Sequence, residues 1–298
     1  MKKVIRKLLI FFVSASGLYG ADAEKRVILC SFYPMYILTQ NVAADIPGVV
    51  VENMIKPHTG CLHDYQLSPQ DMKKLSSAWA LIVNGGGMEI FLDKAMKQFP
   101  GLKIIWATDG IELIHTEQDL SGSGHNHDEQ FNPHVWVSVS GAMAQVRNIS
   151  AGLSAIDSVN SVKYQANAEK YLSSLELLKK KMHNGLANIK DRNIITFHEA
   201  FPYFAREFNL NIMAVIEREA GSEPNARELA EIIRLIKEKN VKAIFIEPQY
   251  PPKTAQIISL ETGRKLYTLD PVVTGPPDPN AYITIMEANL KVLQEALH

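Results

Sequence analysis

Three histidines that lie far apart in the chain, His63, His134 and His198, each follow an apolar run that is typical of a buried strand. Imidazoles at strand ends are suitable ligands for a zinc-type ion, because Zn²⁺ accepts nitrogen donors in a tetrahedral arrangement. No two of these histidines fall within the few residues that a zinc finger or a helical metalloprotease motif uses. Only a folded tertiary structure can bring them together. The pattern therefore predicts one metal ion bound by distant loops.

The local sequence supports the three histidines to different degrees. His198 directly ends a strand-like run, and a strand end is a rigid support for a ligand. His134 follows Pro133, which restricts the backbone, and Trp136 is suited to shield an ion from water. His63 precedes a helix start, where open parallel sheets bind ligands, although a lone loop histidine is more often simply solvated.

Strand-like and helix-like segments alternate along both halves of the chain. This alternation predicts an α/β protein with two doubly wound lobes, each a parallel sheet with helices on both faces. The predicted strands cover residues 27–32, 49–55, 80–83, 103–106, 193–197, 211–216, 241–246 and 265–269. The predicted helices cover residues 35–44, 68–77, 88–98, 199–207, 224–239 and 252–262.

A different pattern separates the two halves. Residues 160–189 contain good helix formers, no proline and a single glycine near the end. We expect one long, rigid helix that joins the lobes and limits their closure on binding. Its predicted apolar stripe consists of Leu172, Leu175, Leu178 and Met182.

The N-terminus has the features of a secretory signal peptide. A basic segment precedes a short apolar stretch, and Ala21-Asp22-Ala23 offers an A-x-A cleavage site. We predict a signal peptide at 1–20, cleaved between 20 and 23, and a periplasmic protein. No cysteine directly follows the apolar stretch, so no lipid anchor is expected. The predicted domains are an N-terminal lobe at 24–158, a linking helix at 159–190 and a C-terminal lobe at 191–298.

Charge and cysteine content limit the partners and the chemistry. Removal of residues 1–20 takes away four basic and no acidic residues, which moves the formal net charge from −1 to −5. Nucleic acid is therefore not an expected partner. Cys30 and Cys61 allow either a disulfide in an oxidising compartment or two separate buried thiols. A monomer is expected.

Four segments, in this order along nearly the whole chain after the signal peptide, carry a resemblance to a known family. They are PHTGCLHDYQLSPQDMKKLSSAWALIVNGGGMEIFLDKAM, NPHVWVSVSGAMAQVRNI, TFHEAFPYFAREFNL and IEPQYPPKTAQIISLETGRKLYTLDP. The chain thereby resembles the zinc and manganese solute-binding proteins of bacterial ABC importers, known as cluster A-I. The resemblance implies metal transport without enzymatic activity, with an ABC permease and its ATPase at the inner membrane as partners.

The resemblance also implies the ligand set. In the family the ligands fall in segments that read HDY, PHVW, TFHEAF and LDP here, which implies His63, His134, His198 and Asp270. An aspartate before proline is also a common turn residue, so local sequence alone does not distinguish the two roles. Glu247, which ends another apolar run, is the competing carboxylate, and we expect it to support a ligand instead of binding the metal.

The residue at the third ligand position bears on the metal. Family members with histidine there are generally associated with zinc and those with glutamate with manganese, a division that agrees with ligand hardness. Here the residue is His198. Three imidazoles and one carboxylate suit tetrahedral Zn²⁺, so the resemblance implies a high-affinity zinc-binding protein. A manganese or iron solute-binding protein of the same family is the alternative.

A short loop with the sequence SGSGHNHDEQ lies where zinc members of the family often have a longer loop rich in histidine and acidic residues. His125 and His127 are candidates for a weak accessory metal site. The competing interpretation is a surface loop with incidental histidines.

Two other function classes are consistent with parts of the sequence. A secreted zinc-dependent hydrolase uses three ligands and an open position, and Glu199 beside His198 is then a candidate base. Against this, HEAFP lacks the second histidine of H-E-x-x-H. The other class is a protein that binds an organic ligand or siderophore through aromatic side chains.

Overall fold

Two parallel sheets with the same strand order form the framework of the chain. The structure is a computed structural model that describes residues 25–55, 62, 65–116, 131–217 and 223–298. In these residues the strands are β1 Arg26–Cys30, β2 Val49–Asn53, β3 Ala80–Val83, β4 Lys103–Trp106, β5 Asn193–Thr196, β6 Asn211–Val215, β7 Ala243–Ile246 and β8 Lys265–Thr268. Their orders are β2-β1-β3-β4 and β6-β5-β7-β8. This arrangement confirms the predicted pair of doubly wound α/β lobes.

Helices cover the sheets and join the lobes. They are α1 Tyr33–Val42, α2 Pro69–Ser77, α3 Asp93–Met96, α4 Val139–Ile156, α5 Ser161–Leu186, α6 Pro202–Phe208, α7 Ala226–Glu238, α8 Lys253–Thr262 and α9 Ala281–Ala296. Single 3₁₀ turns lie at Ile90–Leu92, Val135–Val137 and Ser158–Asn160.

The strand order determines where a ligand can bind. In each sheet the chain reverses its direction of winding between the two central strands, β1 and β3 or β5 and β7. Open α/β sheets bind ligands in the crevice outside the carboxyl ends of strands at such a switch point. In the C-terminal lobe His198 follows β5 by two residues and Glu247 directly follows β7. Both residues therefore lie at the switch point.

The long helix α5 confirms the predicted rigid connection. Leu172, Leu175, Leu178 and Met182 are all buried, as the apolar stripe requires. The helix packs between α4 and α9, which the sequence analysis did not predict. One apolar cluster runs through the N-terminal lobe, α5 and part of the C-terminal lobe, and a second lies in the outer part of the C-terminal lobe. The domain boundaries at 158 and 190 stay a prediction.

Two predicted helices are shorter than expected. The helix predicted at 88–98 is only the 3₁₀ turn Ile90–Leu92 followed by α3, because the Glu89 side chain binds the backbone of the preceding glycine turn. The helix predicted at 199–207 begins only at Pro202, whose ring suits the first helical turn. Residues 199–201 are consequently part of the loop that follows His198.

The structure describes only some of the residues on which the predictions for the N-terminus and the cysteines depend. Residues 1–24 and Cys61 lie outside the described part of the chain. Cys30 is fully buried, and burial raises the pKa of its thiol to about 12. Cys30 is a free cysteine in the structure, in agreement with the interpretation of separate buried thiols. Among the helices of the described residues, none has the length and apolar character needed to cross a membrane.

Glu89 is a buried carboxylate at the carboxyl end of the N-terminal sheet. Its Oε1 accepts hydrogen bonds from Ser31 Oγ and the Asn84 amide, both at 2.7 Å, and its Oε2 accepts one from the Gly85 amide at 2.9 Å. Burial raises the pKa of Glu89 to about 7, and these hydrogen bonds oppose part of that rise.

This raised pKa makes the free energy of unfolding depend on pH. The contribution of Glu89 to the free energy of unfolding is fully present below its ordinary pKa of 4.5 and is lost as pH rises through about 7. The reason is that Glu89 loses its proton more easily in the unfolded chain than in the folded one. A shift of this size corresponds to roughly 3 kcal/mol. We expect Glu89→Gln to remove that part of the slope when urea unfolding is measured at pH 5 and pH 8. The exposed Asp93→Asn variant is the control. A wild-type slope retained in Glu89→Gln would contradict the assignment.

Candidate metal centre

His198 is held at the switch point by Glu247. The histidine is 2% exposed, and its Nδ1 lies 3.2 and 3.3 Å from the two carboxylate oxygens of Glu247. The His198 amide also donates to Glu247 Oε1 at 3.2 Å, and Gln249 Nε2 donates to Oε2 at 2.7 Å. A carboxylate only accepts, so it selects the tautomer with the proton on Nδ1. That tautomer presents the Nε2 lone pair as the coordinating atom.

His134 has an equivalent support from the residue Asn132. The histidine is 2% exposed, and Asn132 Oδ1 lies 3.0 Å from its amide nitrogen and 3.2 Å from its Nδ1. The orientation of the Asn132 amide is determined, because Oδ1 accepts the His134 N–H and Nδ2 donates to the Glu199 carbonyl at 2.8 Å. An oxygen therefore faces Nδ1 of His134, which again selects Nε2 as the metal-binding atom.

The two imidazoles lie against one another although they come from different lobes. Their ring centroids are 5.0 Å apart and the rings are nearly perpendicular, at 81°. Two imidazoles bound to one tetrahedral ion at about 2.0–2.1 Å have ring centroids roughly 5 Å apart. The observed separation is compatible with two ligands of one zinc ion.

Asp270 lies at the end of β8 in a turn held by hydrogen bonds. Asn289 accepts from the Asp270 amide at 2.9 Å and donates to its carbonyl at 2.8 Å, and Asp270 Oδ1 accepts from the Val272 amide at 2.7 Å. Burial raises the pKa of Asp270 to about 6, and the negative charge of Glu247 adds to that rise. The two carboxylates therefore belong to one poorly solvated region, which is favourable for a cation.

The turn after Asp270 carries backbone strain. Val272 is fully buried with φ of 59°, in the left-handed region that a β-branched residue rarely adopts. Such a conformation costs about 1–3 kcal/mol and is typical of functional sites, where surrounding contacts maintain it. Here the hydrogen bond from Val272 to Asp270 fixes the carboxylate at the edge of the sheet.

The described residues contain only part of the expected ligand set. No three His, Cys, Asp or Glu side chains among them are grouped to hold a metal ion. His63, His125 and His127 lie outside the described residues. The structure places His198 against His134 on one side and against Glu247 on the other, and Asp270 lies within electrostatic reach of Glu247.

Residues 28–296 match the family described as ZnuA, zinc-uptake complex component A, periplasmic. The chain belongs to this family. Members of the ZnuA family are solute-binding components of uptake systems and not enzymes, so the hydrolase alternative is discarded.

Similar proteins agree with this membership. The chain is 30% identical to the zinc-binding lipoprotein AdcA of Streptococcus pneumoniae serotype 4, over 96% of the chain and 58% of that protein. It is 29% identical to the high-affinity zinc uptake system protein ZnuA of Bacillus subtilis, over 95% of the chain and 91% of that protein. A structure of the solute-binding protein FpvC of Pseudomonas aeruginosa with Mn²⁺ is also similar, with a TM-score of 0.80, 28% identity and coverage of 92% and 98% of the two chains. The chain thus spans little more than half the length of AdcA.

Trp136 packs beside His134 in this member of the ZnuA family, and its role in shielding a metal stays a prediction. It is fully buried, and its ring centroid lies 5.2 Å from that of His134 and 5.0 Å from that of Phe32. Its indole nitrogen donates to the Pro271 carbonyl at 2.8 Å. An indole packed in this way keeps water from one side of His134.

The sequence analysis missed the residues that hold the ligands in place. Asn132 and Asn289 contact the proposed ligands His134 and Asp270, and Tyr203 donates to the Asn132 carbonyl at 2.7 Å. Asn132 alone had a readable signal, since an asparagine two residues before a ligand can bind the local backbone. Asn289 and Tyr203 act over long sequence separations, which the local sequence does not reveal.

Proposed function

We propose that this chain binds Zn²⁺ outside the cytoplasm and delivers it to an ABC permease and its ATPase, without catalysing a reaction. The observation that carries the proposal is the pair of buried imidazoles from two lobes, 5.0 Å apart, each with an oxygen at Nδ1. Histidines that bind zinc are typically held in one tautomer by an acceptor at the nitrogen that does not bind the metal. Membership of a zinc-uptake family supports the same conclusion.

The proposed ligands are His63, His134, His198 and Asp270. Glu247 supports His198 through Nδ1 and adds negative charge, while Trp136 limits the access of water. Three neutral nitrogen ligands and one carboxylate provide the tetrahedral set that Zn²⁺ favours.

Manganese is the second candidate metal, because FpvC has been crystallised with Mn²⁺ and shares this fold. A site with three nitrogen donors disfavours Mn²⁺, which prefers oxygen ligands, and the Irving-Williams order also places zinc above manganese. The zinc assignment therefore has the stronger chemical support.

The experiment is a metal titration of protein stripped with a chelator. We expect one tightly bound Zn²⁺ per chain, and competition by Mn²⁺ only at a large excess. Metal analysis of protein purified without added metal provides an independent check. Tighter binding of Mn²⁺ than of Zn²⁺ would contradict the zinc assignment, and failure to bind either ion would contradict metal transport.

Residues 122–130 include His125 and His127. Their deletion is expected to leave the zinc affinity of the principal site within about twofold of wild type, since the elements that carry the ligands do not depend on this loop. The flanks of the loop are joined by an antiparallel bridge between His115 and Phe131 and by a 2.7 Å hydrogen bond from the Asn132 amide to the Ile114 carbonyl. The shortened connection can therefore close.

Zinc titration of the deletion variant measures both affinity and stoichiometry. A fall in stoichiometry without a change in the tight site would identify an accessory site in the loop. Loss of the tight site itself would show that the loop is part of it.

The proposed location is the periplasm, reached through a signal peptide cleaved between residues 20 and 23, with the chain acting as a monomer. The family description as periplasmic supports the compartment, although AdcA is named a lipoprotein. Mass spectrometry of the exported chain would determine the cleavage site and any lipid modification.

A further inference from the structure

The segment around His134 belongs to the N-terminal lobe but is bonded to the C-terminal lobe on one side of the histidine. Asn132 Nδ2 donates to the carbonyl of Glu199 at 2.8 Å. Glu199 directly follows His198, so this bond joins the two lobes one residue beyond a proposed ligand. The same asparagine contacts Nδ1 of His134 through its oxygen. One side chain thus links the imidazole of one lobe to the backbone that carries the imidazole of the other.

A second bond has the same form on the other side of His134. Trp136 Nε1 donates to the carbonyl of Pro271 at 2.8 Å. Pro271 directly follows Asp270, the proposed carboxylate ligand. The residues two before and two after His134 therefore each bind the carbonyl of the residue that follows a ligand of the C-terminal lobe.

Two tyrosines of the C-terminal lobe hold the backbone of the same two residues. Tyr203 donates to the Asn132 carbonyl at 2.7 Å and accepts from the Ile114 amide at 2.9 Å. Tyr282 donates to the Trp136 carbonyl at 2.8 Å. All four side chains are buried. The segment 132–136 is consequently fixed to the C-terminal lobe by side-chain and backbone bonds at both ends.

We propose that Asn132 and Trp136 are positioning residues that form an inter-lobe brace. The brace holds His134 in position relative to His198 and Asp270 before the metal binds. This inference rests on the proposed function, because it assigns the brace to a metal site. A site whose ligands are already aligned loses less conformational entropy on binding.

The test compares two brace variants with a matched control. Asn132→Ala removes the contact with His134 and the bond to Glu199, and Trp136→Phe removes the indole donor while keeping an aromatic ring. Asn41→Ala is the control, because it removes an inter-lobe hydrogen bond, from Asn41 Nδ2 to the Pro279 carbonyl at 2.9 Å, that involves neither a proposed ligand nor the residue beside one. Zinc affinity is measured by competition with a chelator, and the unfolding midpoint of the metal-free proteins is measured in parallel.

We expect Asn132→Ala to weaken zinc binding by roughly 10–100-fold and Trp136→Phe by about 10-fold, the range known for residues that support metal ligands. Asn41→Ala is expected to stay within about twofold of wild type, whatever its effect on the unfolding midpoint. The absorption bands of bound Co²⁺ should change in both brace variants and not in the control. If Asn132→Ala does not fold, Tyr203→Phe replaces it, with a severalfold loss expected in the same direction.

A measurement without metal separates this inference from the proposed function. In metal-free wild-type protein, ¹H–¹⁵N correlation spectra of histidine should show His134 with its proton on Nδ1, and Asn132→Ala should shift the tautomer balance. Brace variants with the zinc affinity of Asn41→Ala and an unchanged tautomer would overturn the brace. A wild type with that tautomer but without zinc affinity would overturn the proposed function, and the tautomer response would then decide the brace alone.

Discussion

Replacing His198 by alanine is expected to weaken zinc binding by more than about 100-fold, because even the loss of a residue that only supports a ligand costs about 10–100-fold. The substitution removes a nitrogen donor and leaves Glu247, whose side chain is fully buried, without its imidazole partner. Chelator competition at constant pH measures the affinity. Glu247→Gln should give an intermediate loss, since the amide can still orient the imidazole but lacks the charge.

The matched control is His183→Ala. His183 is exposed on α5, and its contacts are with Glu207, at 3.8 Å, and Phe208, neither of which is a proposed ligand. We expect the His183→Ala variant to bind zinc with the affinity of wild type. If His198→Ala behaved like His183→Ala, His198 would be a buried structural histidine and the proposed site would have to be placed elsewhere.

The sequence was sufficient to predict the central strands because these are largely buried, whereas the edge strands β2, β4, β6 and β8 are partly exposed. The apolar run 80–83 coincides with β3, and the largely apolar segment 193–197 coincides within one residue with β5. The 2-1-3-4 order was not readable from these runs, since any strand order buries them equally well. The positions of His198 and Glu247 at strand ends were predictable, but their contact depends on β5 and β7 being neighbours.

Helices α4 and α9 and the inter-lobe contacts were not predicted from the sequence, for different reasons. Helix α4 contains Gly141 and Gly152, which lower its helix propensity, yet Gly152 allows close packing against Ile105. A regular apolar spacing at Ala142, Val146, Ile149 and Leu153 was the signal that identifies this helix. The inter-lobe contacts of Asn132 and Trp136 had no such signal, because they join residues 67 and 135 positions apart.

Acidification is expected to release zinc steeply. An imidazole must lose its proton to coordinate, and its ordinary pKa is ~6.5, so each histidine ligand contributes up to about tenfold per pH unit below that value. Burial raises the pKa of Asp270 to about 6. Its carboxylate is therefore still mostly ionised at neutral pH, but it takes up a proton as the pH falls through 6. Three histidines and this aspartate together predict a loss of roughly 1000-fold or more between pH 7.5 and pH 5.5.

The slope of this dependence counts the ligands. Zinc affinity is measured by chelator competition at half-unit pH steps and corrected for the protonation of the chelator. The slope of the logarithm of affinity against pH should fall by about one proton in any variant that retains binding but lacks one histidine ligand. His63→Ala is the decisive variant, because His63 lies outside the described residues and is proposed from the sequence and the family resemblance only. A slope unchanged from wild type would remove His63 from the site, and a nearly flat wild-type profile would refute a site built on three imidazoles.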